Sequence, residues 1–353
     1  MIKILHSADW HLDSAMAFRS PEQTQLLRRA LSGIPGQIAS LCKDHGCDLM
    51  LLSGDLFDGP CTADSVQILR DALEDAAVPV FIAPGNHDPI GGDSPWLSVR
   101  WPANVHIFTH PVMESVVLPE LDCRVYGAGF TGMDCPGLLA NFHAAHTERY
   151  AVGILHGDPT QAASPYCPIT TEQVKQSGLD YLALGHIHKG DSFRAGNTLC
   201  AWPGCPMGRG YDEQGEKGVL LVTLDDTADA QFLPLNTPRF YDVEIPADRG
   251  LDSILPPVGS DDFYRITFTG AGDPPDLAAL QQEFSRFPNL HLRDRTVPPV
   301  DIWGTAGADT LEGMYFSLLR TAMDTGDEDF QRQVRLAAQI SRQILDGQEV
   351  VLP

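Results

Sequence analysis

Apolar residues recur along the first two thirds of the chain in short runs with the two-residue period of strands, separated by stretches at helical spacing. Residues 2–7, 49–53, 78–83, 105–108, 124–128, 151–155, 181–184, 198–202 and 219–224 read as strands. Residues 22–31, 36–44, 63–76, 137–145 and 171–178 read as helices. Mixed βα units of this kind predict a layered α/β domain, and the later strands, which follow one another without helices, predict antiparallel pairing as well. Periodicity weakens over residues 225–238, where Asp, Thr, Asn and Pro accumulate, so a domain boundary is expected there. The expected organisation is a main domain over 1–238, a small α+β unit over 239–303 and a helical segment over 304–353. The small unit reads strand 241–245, strand 263–267, helix 276–287 and strand 290–293. In the tail, Asp309 with Glu312 three residues later has the form of a capping box. Leu311, Tyr315, Leu318 and Leu319 then recur at helical spacing, and a second helix from Glu328 carries Phe330, Val334, Ala337 and Ile344 before stopping at Gly347.

Composition narrows this picture. The 353 residues are 43% hydrophobic and 20% charged, the balance of an ordinary globular protein. The longest apolar runs are too short to span a bilayer, and the first residues enter a strand pattern at once, so a cytoplasmic location without membrane contact is expected. Eight cysteines, with no Cys-x-x-Cys pair among them, read as reduced thiols packed as small apolar residues. Charge is more telling. Forty-seven acidic residues against 24 basic ones give a net charge of −23. Nucleic-acid binders draw affinity from Lys and Arg contacts to phosphate, and here there is no basic run. Any polyanion must be held by bound cations, scattered arginines or a partner chain.

The candidate chemistry lies at the ends of five strand-like runs. Asp9-Trp10-His11 follows the first, Gly54-Asp55-Leu56-Phe57-Asp58 the second and Gly85-Asn86-His87-Asp88 the third. His156-Gly157-Asp158 and Gly185-His186-Ile187-His188 follow two later ones. Each fragment alone is unremarkable; five in this order, each after an apolar strand, are not. Carboxylate and imidazole donors without thiolate suit Mn²⁺, Fe²⁺ or Zn²⁺. Two such cations about 3.5–4 Å apart can activate water and stabilise an in-line displacement at phosphorus.

The five blocks closely resemble the calcineurin-like metallophosphoesterase superfamily. That resemblance implies a four-layer α/β/β/α sandwich with a small α+β capping domain and C-terminal helices. It implies one metal on Asp9, His11, Asp55 and His188, and a second on Asp55, Asn86, His156 and His186, with Asp55 bridging. His87 matches the non-ligand histidine that contacts phosphate and protonates the leaving oxygen, and Asp88 is read as its orienting partner. Asp58 lies close by without an assigned role. The opening Ile4–Leu12 run and the stretch from Trp202 to Gly218 resemble SbcD-type DNA repair exonucleases, with departures after Pro60 and His188 that resemble a smaller YhaO-like group. This implies a manganese-dependent exonuclease or endonuclease, with Fe²⁺, Zn²⁺ or Mg²⁺ as other metals. It further implies DNA as substrate, an SbcC-like or other SMC-like coiled-coil ATPase as partner, and a homodimer. Arg209 is a candidate phosphate contact, with a salt bridge as the plainer reading. The competing readings are a phosphodiesterase or phosphatase for a small nucleotide or phosphoprotein, and an inactive scaffold for an ATPase.

Overall fold

The computed structural model describes residues 1–16, 20–297, 301–325, 327–347 and 350. The chain begins β1 (Ile2–Ser7), α1 (Pro21–Asp44), β2 (Leu49–Leu52), α2 (Ala63–Ala76), β3 (Val80–Ile82), α3 (Pro95–Ser98) and β4 (Val105–Ile107). Because helices cross over between them, β1, β2, β3 and β4 pair in parallel. Next come β5 (Glu114–Leu118), β6 (Cys123–Gly127), β7 (Tyr150–His156), α4 (Thr171–Gln176) and β8 (Tyr181–Gly185). The run closes with β9 (Lys189–Ala195), β10 (Thr198–Gly204), β11 (Gly218–Leu224) and β12 (Ala228–Pro234). Two six-stranded mixed sheets result, ordered β12-β11-β1-β2-β3-β4 and β5-β6-β7-β8-β10-β9.

Alternation along β2 shows how they stack. Leu49 and Leu51 join Ile4 and Phe81 against Val125, Val152, Ile154 and Ala183 of the second sheet. Met50 and Leu52 point the other way, into a core with Leu27, Leu31, Ile34 and Ile38 of α1 and Leu69 and Leu73 of α2. A strand buried on both faces must be apolar at every position, which is what Leu-Met-Leu-Leu supplies. On the far side of the second sheet, Leu155, Leu182 and Leu184 pack with Val174 of α4.

The structure departs from local expectation at several elements, among them β5, an edge strand that forms where none is expected. The helices expected at 22–31 and 36–44 are one helix, α1, with Pro35 inside it. An internal proline costs about 3 kcal/mol, but a continuous stripe of buried Leu and Ile at about 1.5–3 kcal/mol each outweighs it. The helix expected at 137–145 is absent; its backbone is drawn into long-range contacts, the Leu138 amide with Cys167 Sγ, the Ala144 amide with the Ser177 carbonyl and the Ala145 amide with the Tyr126 hydroxyl. β9 and β12 form where polar composition argues against strands. Both are edge strands, held from one side by β10 and β11, so their sequences need not alternate. Finally, it is Thr310, not Asp309, whose side chain accepts the Gly313 amide at the start of the first tail helix.

The chain forms two compact units, Met1–Asp242 with Asp261–Tyr264, and Val243–Ser260 with Arg265–Pro353. Beyond β12 lie β13 (Phe240–Pro246), β14 (Phe263–Thr269), α5 (Leu277–Glu283) and β15 (Leu290–Asp294), the three strands forming a small sheet in that order. Two helices follow, α6 (Leu311–Thr325) and α7 (Glu328–Leu345). Arg342 donates to Glu312 at 2.7 Å and Tyr315 meets Ser341 at 2.8 Å, so the start of α6 lies beside the end of α7 as an antiparallel hairpin. Leu311, Met314 and Leu318, at i, i+3 and i+7 of α6, are exposed.

Candidate dinuclear metal centre

Parallel strands from both sheets bring their C-terminal ends to one rim, the usual binding edge of α/β sheets. Asp9 and His11 follow β1, Asp55 follows β2, and Asn86 and His87 follow β3; His156 ends β7, and His186 and His188 follow β8. Backbone hydrogen bonds stitch the loops together, from the Asp9 amide to the Gly54 carbonyl (3.0 Å) and from the His11 amide to the Asp55 carbonyl (2.9 Å). Asp9, His11, Asp55 and His186 have φ of 56°, 51°, 51° and 99°. Residues with side chains rarely enter this left-handed region, and strain of about 1–3 kcal/mol each persists only where the surroundings over-determine it. Asp9 and His11 therefore come to one side through tight turns. Packing leaves no slack. A Cβ on Gly85 would lie 2.3 Å from Asp55 Oδ1.

The ring nitrogens carry the decisive information. His11 places Nδ1 3.2 Å from Asp58, and His188 places Nδ1 2.6 Å from Glu213. Ionised carboxylates only accept, so both Nδ1 atoms carry protons. The two rings then face each other through their Nε2 atoms at 3.1 Å, where each imidazole in its neutral form carries a lone pair. His156 repeats the pattern. Its Nδ1 donates to the Ser53 carbonyl (2.8 Å), which leaves the Nε2 lone pair facing Asn86 Oδ1 at 3.0 Å and Asp55 Oδ2 at 3.3 Å. Electron pairs held face to face in buried surroundings call for a cation or a proton between them. Asp55 Oδ2 stands between the two groups, 3.9 Å from His11 Nε2, while Oδ1 accepts the His87 amide at 2.9 Å. Asp9 accepts the His186 amide on both oxygens, and the His186 ring lies 5.3 Å from that of His156. Ligand atoms of Asp9, His11 and His188, and of Asp9, Asp55 and His156, lie within 4.8 Å of one another. Hard oxygen and imidazole donors with their outer nitrogens already fixed suit a divalent cation of the first transition row.

Outer partners depart from expectation. His87 is expected to lean on Asp88; its Nδ1 instead lies 2.9 Å from Asp58. Asp88 is buried and accepts backbone amides of Gly85, Leu56, Asp55 and Phe57 at 2.7–3.4 Å, clamping the β2 loop to the β3 loop. Burial and the Asp55 charge push Asp88 up to about 7, against the amides that favour its anion. Arg209 pairs its guanidinium with Glu213, at 2.9 Å, and approaches His188 Nδ1 at 3.2 Å. No local sequence pattern marks Glu213, yet it holds both residues. Burial works against its charge, but the His188 and Arg209 hydrogen bonds keep it well below the usual carboxylate range. Ser53 and His6 likewise carry no signal in the sequence. His6 is fully buried; its Nε2 faces the Leu184 carbonyl (3.1 Å) and Ser53 Oγ (3.0 Å), so Nε2 carries the proton and Nδ1 accepts from Tyr181 (2.7 Å). Burial lowers His6 to about 3, which keeps this link between the sheets neutral.

Burial disfavours charge on His156 as well, yet Asp55 and Asp9 outweigh it and raise the ring to about 9. A cation must displace that proton. Below pH 9 the two compete, so metal affinity should climb about tenfold per pH unit from neutrality to about pH 9 and then level off, one proton being released per centre. Titration calorimetry in buffers of different ionisation enthalpy reads the proton directly. Affinity that is flat over this range would mean His156 is already neutral.

Residues 2–190 match the family described as calcineurin-like phosphoesterase. The chain belongs to that family. The match contains all seven candidate ligands with Asp58, His87 and Asp88, and stops short of Arg209 and Glu213. Two Bacillus subtilis proteins are similar. One, named uncharacterized metallophosphoesterase YhaO, is 31% identical over 235 residues, 63% of this chain and 57% of that protein. The other, the SbcD component of the nuclease SbcCD, is 22% identical over 268 residues, 63% of this chain and 66% of that protein. The chain thus spans less than two thirds of the length of each relative. The solved structure of TT1561 of Thermus thermophilus overlays with a TM-score of 0.41 at 14% identity, over 65% of this chain and 98% of that one. Among the described residues, no helix is long and apolar enough to cross a membrane.

Proposed function

We propose that the protein is a two-metal DNA nuclease that hydrolyses phosphodiester bonds by direct attack of water. The observation that carries the metal-dependent part is the pair of facing Nε2 lone pairs on His11 and His188, with Asp55 Oδ2 standing between that pair and His156. Asp9, His11, Asp55 and His188 would hold one cation, and Asp55, Asn86, His156 and His186 the other. Bound there, the cations would acidify water and offset the negative charge of the phosphate. The chain's own residues do the rest. Asp58, Glu213 and the Ser53 carbonyl fix the tautomers of His11, His188 and His156, so each offers Nε2 inward. His87, half exposed over the site with Nδ1 on Asp58, hands a proton from its other nitrogen to the departing oxygen.

DNA as substrate is supported by similarity to the SbcD component of the nuclease SbcCD, and by the run from Trp202 to Gly218, which contributes Glu213. An SbcC-like, SMC-like coiled-coil ATPase is the partner this reading implies. Exposed Leu311, Met314 and Leu318 on α6, with Phe330 and Ile344 on α7, offer a face of the right kind for such a partner.

The test is a substrate panel with Mn²⁺: linear duplex DNA, single-stranded DNA, a bis-aryl phosphodiester and a phosphomonoester. Cleavage of DNA supports the reading. Turnover of the aryl diester alone would make the protein a small-substrate phosphodiesterase, and metal binding without any turnover would make it a scaffold.

A further inference from the structure

The geometry points to a nucleotide-binding groove beside the metal centre, in which Lys189 and Lys217 take a phosphate flanking the scissile one and Phe232 takes the neighbouring base. This rests on the nuclease reading and names where the substrate strand lies. The groove, about 470 Å³, opens between the two edge strands β9 and β12, and His188 lines its inner end. Lys189 is the residue directly after His188, and Lys217 Nζ lies 3.5 Å from the His188 carbonyl.

Scarcity gives the two lysines their weight. The chain has only five, at positions 3, 43, 175, 189 and 217. Lys3 donates to the His45 carbonyl and Lys43 pairs with Asp75. Neither Lys189 nor Lys217 forms an ion pair among the described residues. The groove's carboxylates do not cancel them: Glu216 is neutralised by Arg239 at 2.9 Å, which leaves Asp191 against two ammonium groups. A net positive groove touching the centre of a chain with net charge −23 is a site for an anion that arrives with its own counter-ions. The nearby guanidinium of Arg209 is already spent on Glu213. Phe232 adds the second half. Its ring packs against Gly218, where a Cβ would meet it at 2.9 Å, and remains 41% exposed toward the groove. An open aromatic face next to paired cations is how single strands are held without sequence preference.

The experiment follows cleavage of labelled DNA by the Mn²⁺-loaded full chain over about 50–200 mM salt. It compares wild type with Lys189→Ala/Lys217→Ala, Lys189→Arg/Lys217→Arg and Phe232→Ala. The alanine pair should raise KM about tenfold or more with kcat within about threefold, and cut the salt slope by about 0.7–0.9 unit, the value for one lost phosphate contact. The arginine pair should restore both, which a merely structural role for the lysines would not predict. Phe232→Ala should raise KM about tenfold and leave the slope unchanged. An alanine pair with wild-type KM and slope overturns the groove and leaves the nuclease standing. A wild type that turns over an aryl diester but no DNA overturns both.

Discussion

Asp55→Ala should strip the centre of its metals and reduce cleavage by more than about 10³-fold, beyond the roughly 10–100-fold that loss of an outer partner costs. The reason is positional. Asp55 Oδ2 faces both the His11 and the His156 groups, and Oδ1 also holds the His87 amide. Its charge matters as much. Asp55 is the chief group keeping His156 raised against burial, and its own carboxyl, despite burial, is held below the usual range by His156 and His11. Asp55→Asn separates the two effects: it preserves the shape and an acceptor for the His87 amide but removes the charge that two dications need. Metal content per chain, measured beside kcat, decides. Two metals retained in Asp55→Ala, with kcat within tenfold of wild type, would end the bridging assignment.

How far the sequence reveals this centre depends on which interactions do the building. The five ligand blocks are legible because each stands at the end of an apolar strand, and Asp9, His11, Asp55, His156 and His188 bring ligand atoms together in two overlapping groups. The outer partners are not legible. Asp88 is adjacent to His87 in sequence, yet it turns to four amides across the loop. Asp58, 29 residues earlier, meets the ring instead. Glu213 reaches His188 across 25 positions. No local pattern encodes such pairs, because they depend on how turns with positive φ aim the chain. Edge strands fail for a related reason. Polar Lys189–Ala195 becomes β9 because β10 offers a free hydrogen-bonding edge, a tertiary circumstance that overrides composition. The long helix α1 is the opposite case: the Leu27, Leu31, Ile34, Ile38 stripe is visible, and Pro35 hides its continuity.

His87→Ala should lower kcat on DNA by about 10²–10⁴-fold, the range for loss of a general acid, with two metals still bound. His87 donates none of the facing lone pairs; its backbone amide holds a ligand, through Asp55 Oδ1, and alanine keeps that amide. What alanine removes is the ring held by Asp58 at 2.9 Å and packed edge-on against His11 at 4.8 Å between centroids. The leaving group tells whether that ring gives a proton. A DNA phosphodiester expels an alkoxide that needs one. A nitrophenolate does not, so with a bis-aryl diester the same substitution should cost less than about tenfold. Asp58→Asn should fall between wild type and His87→Ala on DNA, since it loosens the ring without deleting it, at about 10–100-fold. Equal losses on both substrates would mean that His87 serves binding or structure, and that the proton reaching the departing oxygen comes from elsewhere.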